Sequence, residues 1–131
     1  MVLDTSALLA ILFAEPESER MVRAVAASGT RLVGAATFVE ASAVMCARKG
    51  SGGEVALDAL LERMDIEVVE VSVPAARLAR LAYSRYGRGV GDPPVLNFGD
   101  SLSYGVAMAF REPLLFKGTD FGATDVEVAE Y

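Results

Sequence analysis

"IEVVEVSVPAARLARLAYSRYG", Ile66 to Gly87, changes its periodicity halfway along. The first part, "IEVVEVSV", is the clearest strand in the chain, because it is dense in β-branched residues. From Pro74 the repeat becomes helical: Leu78, Leu81 and Ala82 share one stripe, Arg77, Arg80 and Ser84 lie opposite, and Gly87 supplies a stop.

The same strand-then-helix order recurs on both sides. Upstream, "MVLD" (1–4) reads as a short buried strand and "SALLAILFA" (6–14) as a helix. Pro16 fits the first position of a helix "PESERMVRAVAAS" that ends by Gly29. "RLVGAA" (31–36) is a strand, followed by the helices "TFVEASAVMCARKG" (37–50) and "GGEVALDALLERM" (52–64). Downstream, "GRGVGDPPVLNFG" (87–99) is a loop dense in Gly and Pro, and "LNFGDSLSYGVA" (96–107) opens an apolar helix. A strand "PLLF" (113–116), a turn "KGTDFGATD" (117–125) and a last short strand "VEV" (126–128) complete the pattern.

Strands joined by helical crossovers imply a mostly parallel sheet of about five strands, covered by helices on both faces. The expected class is therefore α/β, a three-layer α/β/α sandwich. At 131 residues, 53% hydrophobic and mean hydropathy +0.37, residues 1–131 suit one domain with a well-filled core. The longest apolar run, Ser6–Ala14, is too short to span a bilayer and follows Asp4 rather than a basic leader, so a cytoplasmic protein is expected. The lone Cys46 excludes a disulfide framework and, among apolar neighbours, reads as core packing.

Histidine is absent. That removes Ser-His-Asp triads, histidine acid–base pairs and imidazole-ligated zinc from the available chemistry. Any metal would be held mostly by Asp and Glu, which favours a hard cation such as Mg²⁺ or Mn²⁺. With 12 basic and 18 acidic residues the net charge is −6, which argues against a protein that coats nucleic acid but leaves room for local basic patches.

In parallel α/β sheets, ligands bind outside the carboxyl ends of the strands. Asp4 ends the first strand, Glu40 falls in the first turn of the helix after the second, Asp100 in the first turn of the helix feeding the fourth, and Asp120 and Asp125 follow the fourth. Each acid also has an ordinary explanation. Thr37 with Glu40 has capping-box spacing, Asn97 with Asp100 repeats it, Asp4 can cap a helix, and Asp120 or Asp125 can hold a turn. Caps need not crowd onto one edge, however. Carboxylates that do so repel one another, and a divalent cation together with the positive ends of helices relieves the repulsion.

The segments "MVLDTSALLAIL", "FVEASAVM", "NFGDSLSYGVA" and "PLLFKGTDF" resemble, in order and spacing over essentially the whole chain, the PIN-domain ribonucleases, and most closely the VapC toxins of bacterial toxin–antitoxin pairs. The resemblance implies an endoribonuclease that hydrolyses RNA phosphodiesters, transfer RNA frequently among them, with Mg²⁺ or Mn²⁺ held by three or four carboxylates. It also implies silencing by a small antitoxin of the VapB type. Asp4, Glu40 and Asp100 match the family's first three acids. The family often places an acid or Asn two residues before the last "DF", where this chain has Gly118, so Asp120, or else Asp125, would complete the quartet.

The chemistry suits these residue types. A cation clamped by carboxylates neutralises charge on phosphate oxygens and lowers the pKa of water. Asp4 and Asp100 are the leading ligands; Glu40 is suited to hold a water or accept its proton. Thr5 and Ser6 can orient Asp4, and Asn97 can tie its helix start to the same cluster. Arg48, Lys49, Arg85, Arg88 and Lys117 are candidate contacts to an RNA backbone; Tyr83, Tyr86 and Tyr104 either stack on bases or pack internally. In the first helix Leu8, Leu9, Ile11, Leu12 and Phe13 cover more than one stripe, so a second side faces either its own domain or a partner, an antitoxin or the other half of a homodimer. The rivals are a phosphoacceptor receiver-like signalling domain, a binding module with a non-catalytic acid cluster and a haloacid-dehalogenase-like phosphatase. The first lacks its Asp after the third strand, and the last has Ser6 where a second Asp is required.

Overall fold

Four strands form one parallel sheet in the computed structural model, which describes residues Met1–Tyr131: β1 (Val2–Leu3), β2 (Leu32–Gly34), β3 (Glu67–Val69) and β4 (Leu114–Leu115). Their order is β3-β2-β1-β4. Between β1 and β2 run α1 (Thr5–Leu12) and α2 (Ser18–Ala27); between β2 and β3, α3 (Ala35–Lys49) and α4 (Ser51–Met64); between β3 and β4, α5 (Val73–Tyr86) and α6 (Phe98–Phe110). Each crossover returns the chain to the same edge, so all strands point one way and the predicted α/β/α sandwich is what forms.

Strand alternation divides the core in two. Leu3 and Val33 pack under α1 to α4 with Ala7, Leu8, Met21, Val25, Ala41 and Leu57, while Val2, Leu32 and Leu114 face α5 and α6 with Ala75, Ala82, Tyr104 and Val106. Val2, Leu3, Leu8, Val33 and Leu114 are fully buried. Each such side chain stabilises the fold by about 1.5–3 kcal/mol.

The structure has four strands rather than five. Val126–Val128 makes only a single bridge: the Leu114 N–H donates to the Glu127 carbonyl (2.8 Å) and the Ala129 N–H to the Leu114 carbonyl (3.0 Å). The strand read over 66–73 pairs only through Glu67–Val69, because it lies at the sheet edge and its one neighbour, β2, turns into α3 at Ala35. Pro16 precedes α2 instead of opening it.

The stripe assigned to α5 is also displaced. Leu81 is exposed, and the buried side is Ala75, Ala79, Ala82 and Tyr86. Small size governs this contact: a Cβ on Gly105 of α6 would meet the Ala75 carbonyl at 2.4 Å, so the two helices touch through residues with almost no side chain. Cys46 is exposed, not core, since α3 buries Thr37, Ala41 and Met45 and Cys46 falls just off that line. On α1, Ala7, Leu8 and Ala10 are buried, whereas Leu9, Ile11, Leu12 and Phe13 are only half-buried, leaving its second side partly uncovered. No helix is long and apolar enough to cross a membrane.

Candidate active site

Asp4 follows β1 directly and is the N-cap of α1. Its Oδ2 accepts hydrogen bonds from the Ser6 N–H (2.9 Å) and Ser6 Oγ (2.6 Å); its Oδ1 accepts one from Ser103 Oγ (2.7 Å) on α6. With only 4% of its surface exposed, this side chain relies on such donors to satisfy its oxygens away from water. Ser6 Oγ also accepts from the Lys117 N–H (3.0 Å), locking the end of β4 beside the end of β1.

Asp100 enters from the other side of the sheet. Asn97 and Asp100 form the anticipated capping box at the start of α6: Asn97 Oδ1 accepts from the Asp100 N–H (2.9 Å), and Asp100 Oδ2 accepts from the Asn97 N–H (2.7 Å). Burial pushes the Asp100 carboxyl up to about 6; the bond from Asn97 opposes this, the negative charges of Asp4 and Asp120 add to it, and Arg88 counters them. Three carboxylates thus share one field.

Glu40 arrives differently from expected. Helix α3 begins at Ala35 with Gly34 as cap, so Thr37 is already inside the helix and forms no capping box with Glu40, which lies in the second turn. The Thr37 hydroxyl instead shares a hydrogen bond with Ser103 Oγ (3.0 Å), supporting the group that holds Asp4. Thr5 Oγ1 donates to Glu40 Oε2 (2.6 Å), so of the two hydroxyls beside Asp4 one orients Asp4 and the other Glu40. Glu40 lies against the backbone of Gly99, next to Asp100. Ala36, Val39, Ala43, Phe98 and Leu102 join Glu40 around a hollow of about 440 Å³ between the N-terminal ends of α3 and α6.

Asp120 begins a short 3₁₀-helix after β4, where its Oδ2 accepts from Arg88 Nη2 (2.9 Å). Asp125 is occupied elsewhere: Oδ1 accepts from Tyr104 Oη (2.6 Å) and Tyr86 Oη (3.2 Å), and Oδ2 from Arg85 Nη1 (3.3 Å). The Tyr104 hydroxyl holds the Asp125 carboxyl below the usual range. Tyr86 and Tyr104 are therefore packing residues. Lys117 Nζ is engaged by Glu15 (2.5 Å) and Glu17 (3.3 Å), and Arg48 and Lys49 lie over the Phe13 ring.

Ser103, Thr37 and Gly99 are the site residues that sequence reasoning missed. Only Ser103 left a signal, being three residues beyond Asp100 and so near it on the same helix. As the side chains stand, no three carboxylates converge closely enough to ligate one ion directly. The donor set nevertheless fits a hard cation, because Asp4, Glu40, Asp100 and Asp120 offer carboxylate oxygens alone.

The PIN domain family profile matches residues 1–127. The ribonuclease VapC28 of Mycobacterium tuberculosis is 44% identical over 129 residues, covering 98% of this chain and 97% of the relative. The crystal structure of VapC20 from Mycobacterium tuberculosis, described as a sarcin-ricin-loop-cleaving toxin, superposes with a TM-score of 0.76 at 20% identity, covering 98% of each chain. VapBC2 from Rickettsia felis, bound to a DNA fragment from its promoter, gives 0.75 at 16% identity over 98% of this chain and 96% of that one. A profile that spans nearly every residue, on a parallel sheet with its acids gathered at one edge, identifies the chain as a member of the PIN domain family.

Proposed function

We propose that this chain is an Mg²⁺- or Mn²⁺-dependent endoribonuclease of the VapC toxin type, with Asp4, Glu40, Asp100 and Asp120 as its working carboxylates. The observation that carries the reading is the hydrogen-bonded frame at the carboxyl edge of the sheet: Ser6 and Ser103 hold Asp4, Thr5 holds Glu40 against Gly99, and the capping box holds Asp100 on the same helix as Ser103. When bound, the divalent cation supplies positive charge for the phosphate oxygens and polarises the attacking water.

The residues then divide the work. Asp4 holds a fixed position through Ser6 and Ser103, which makes it the anchoring ligand. Asp100 joins it in ionised form, and Asp120 completes the set. Glu40 Oε2 is engaged by Thr5, leaving Oε1 to accept the proton of the attacking water. Asn97 and Gly99 fix the start of α6 against these groups.

An antitoxin partner agrees with the VapC names of the sequence relatives, with the structural likeness to VapBC2 and with the half-buried side of α1. Ile11 and Leu12 border a hollow of about 310 Å³ with Ala56, Ala59, Leu60 and Arg63 of α4, which suits an apolar segment of such a partner. A homodimer and a cytoplasmic setting, where RNA and antitoxin meet the enzyme, belong to the same reading.

The test is incubation with labelled total RNA, transfer RNA resolved separately, in Mg²⁺, Mn²⁺ or chelator, beside Asp4→Asn. Cleavage that needs the cation and disappears in Asp4→Asn is expected. Equal cleavage in chelator, or by the variant, would overturn it.

A further inference from the structure

The positive charges nearest the carboxylates are not equivalent. Lys117 is held by Glu15 and Glu17, and Arg85 by Asp125. Arg88 alone pairs with one of the four working acids, through Nη2 to Asp120 Oδ2 (2.9 Å), while its Nε donates to the Val95 carbonyl (3.0 Å). Its backbone is pinned as well, since the Arg88 N–H donates to the Leu96 carbonyl (2.8 Å). The guanidinium is thus tethered to its loop while its tip rests on a carboxylate.

We propose that Arg88 is a phosphate-positioning residue stored on Asp120: it competes with the divalent cation for that carboxylate and, once displaced, turns its guanidinium toward the phosphate of the substrate. This rests on the cation-dependent nuclease reading above. Both partners are about half exposed, at 56% and 44%, so the ion pair is loosely held and exchangeable. An Asp120 oxygen that accepts from a guanidinium is a poorer ligand for a cation, so occupancy by one disfavours the other. The released group is suited to its next partner, because the guanidinium edge presents paired N–H donors that match phosphate oxygens. A chain of net charge −6 needs such a local cation to hold an RNA phosphate against its own acids.

Calorimetric titration of Mn²⁺ into RNA-free protein, followed by cleavage kinetics at saturating Mn²⁺, tests this. Arg88→Gln is expected to bind Mn²⁺ about threefold more tightly, or better, than the parent, while its kcat/KM falls about tenfold or more. Arg85→Gln, which removes the same charge from the Asp125 pair, controls for net charge and is expected to leave Mn²⁺ affinity unchanged. Arg88→Lys keeps the charge without the paired donors and is expected to hold Mn²⁺ affinity near that of the parent while recovering only part of the cleavage; Arg88→Ala gives the same readings as Arg88→Gln should the latter fold poorly. Unchanged or weaker Mn²⁺ binding in Arg88→Gln, an equal gain in Arg85→Gln, or unchanged kcat/KM overturns the inference alone. Failure of the parent protein to bind Mn²⁺ overturns the cation reading beneath it as well.

Discussion

A Cβ placed on Gly99 would stand 2.9 Å from both Oε1 and Oε2 of Glu40. The second residue of helix α6 is thus a glycine whose missing side chain leaves room for the carboxylate of a different helix. Glu40 is exposed and its end is flexible, so Gly99→Ala folds, and the gain in helix propensity, about 0.5–1 kcal/mol, offsets any local strain. The displaced carboxylate loses its place beside Asp100 and its bond from Thr5. Cleavage is expected to fall about tenfold or more with the melting temperature retained. Full activity in Gly99→Ala would remove Glu40 from the mechanism.

Asp100 gives a prediction for pH. Its carboxyl is pushed up to about 6, first by burial, whereas an Asp in the unfolded chain titrates near 4, at about 3.9. The native state holds this proton more tightly than the unfolded state. Its contribution is therefore fully present below about 3.9 and is lost as the pH rises through about 6. Asp100→Asn keeps an acceptor for the Asn97 N–H and removes the charge. In chelator the variant is expected to gain melting temperature over the parent between pH 4 and pH 8, with the change centred on the interval between the two pKa values. Above pH 6, Mg²⁺ is expected to stabilise the parent and not the variant. A difference that stays constant with pH would contradict the raised pKa.

What the sequence disclosed was whatever depends on neighbours along the chain. The Asn97–Asp100 box and the Asp4 cap are local signals, and the period change at Pro74 marks α5 within one residue of its start. The Thr37–Glu40 spacing misled for the same reason, because the cap had already been made at Gly34 by the end of β2. Ser103 could not be linked to Asp4, since the contact spans 99 positions and exists only once α6 lies across β1. Nor could the ties of Lys117 to Glu15 and of Asp125 to Tyr104, which withdraw them from the acid cluster, be read before the chain had folded. Leu81 and Cys46 show the remaining limit: an apolar residue faces solvent when its neighbour on the helix, Ala82 or Met45, makes the contact instead.

Ser103 joins Asp4 Oδ1 to the hydroxyl of Thr37, all in a region closed to water. Ser103→Ala leaves Asp4 without the donor on that oxygen and Thr37 without its partner. Loss of hydrogen bonds to a buried charge costs about 1–3 kcal/mol, so unfolding in denaturant is expected at a lower midpoint with an unchanged slope. Cleavage is expected to fall with it, since Asp4 is no longer held from α6. Thr37→Val removes only the outer bond and is expected to show the same effects in weaker form. A Ser103→Ala protein as stable and active as the parent would show that Ser6 alone positions Asp4.

Asp120 and Asp125 lie five residues apart and are expected to fail in opposite ways. Asp125 accepts from two tyrosine hydroxyls and pairs with Arg85, joining α5, α6 and the last segment of the chain. Replacement by Asn weakens the acceptor for Tyr104, which is buried, at a cost of about 1 kcal/mol. The carboxyl of Asp125 is held below the usual range, first by the Tyr104 hydroxyl, so its contribution is present above the unfolded value near 3.9 and disappears as the pH falls through the lower native one. Asp125→Asn is therefore expected to be less stable than the parent at pH 7, with the gap closing in acid, and to cleave RNA nearly as well. Asp120→Asn breaks only a half-exposed pair, so its stability stays within about 0.5 kcal/mol of the parent while turnover falls about tenfold or more. Denaturant midpoints and turnover numbers of the two variants, measured side by side, check both halves. Greater loss of turnover in Asp125→Asn than in Asp120→Asn would transfer the fourth carboxylate's role to Asp125.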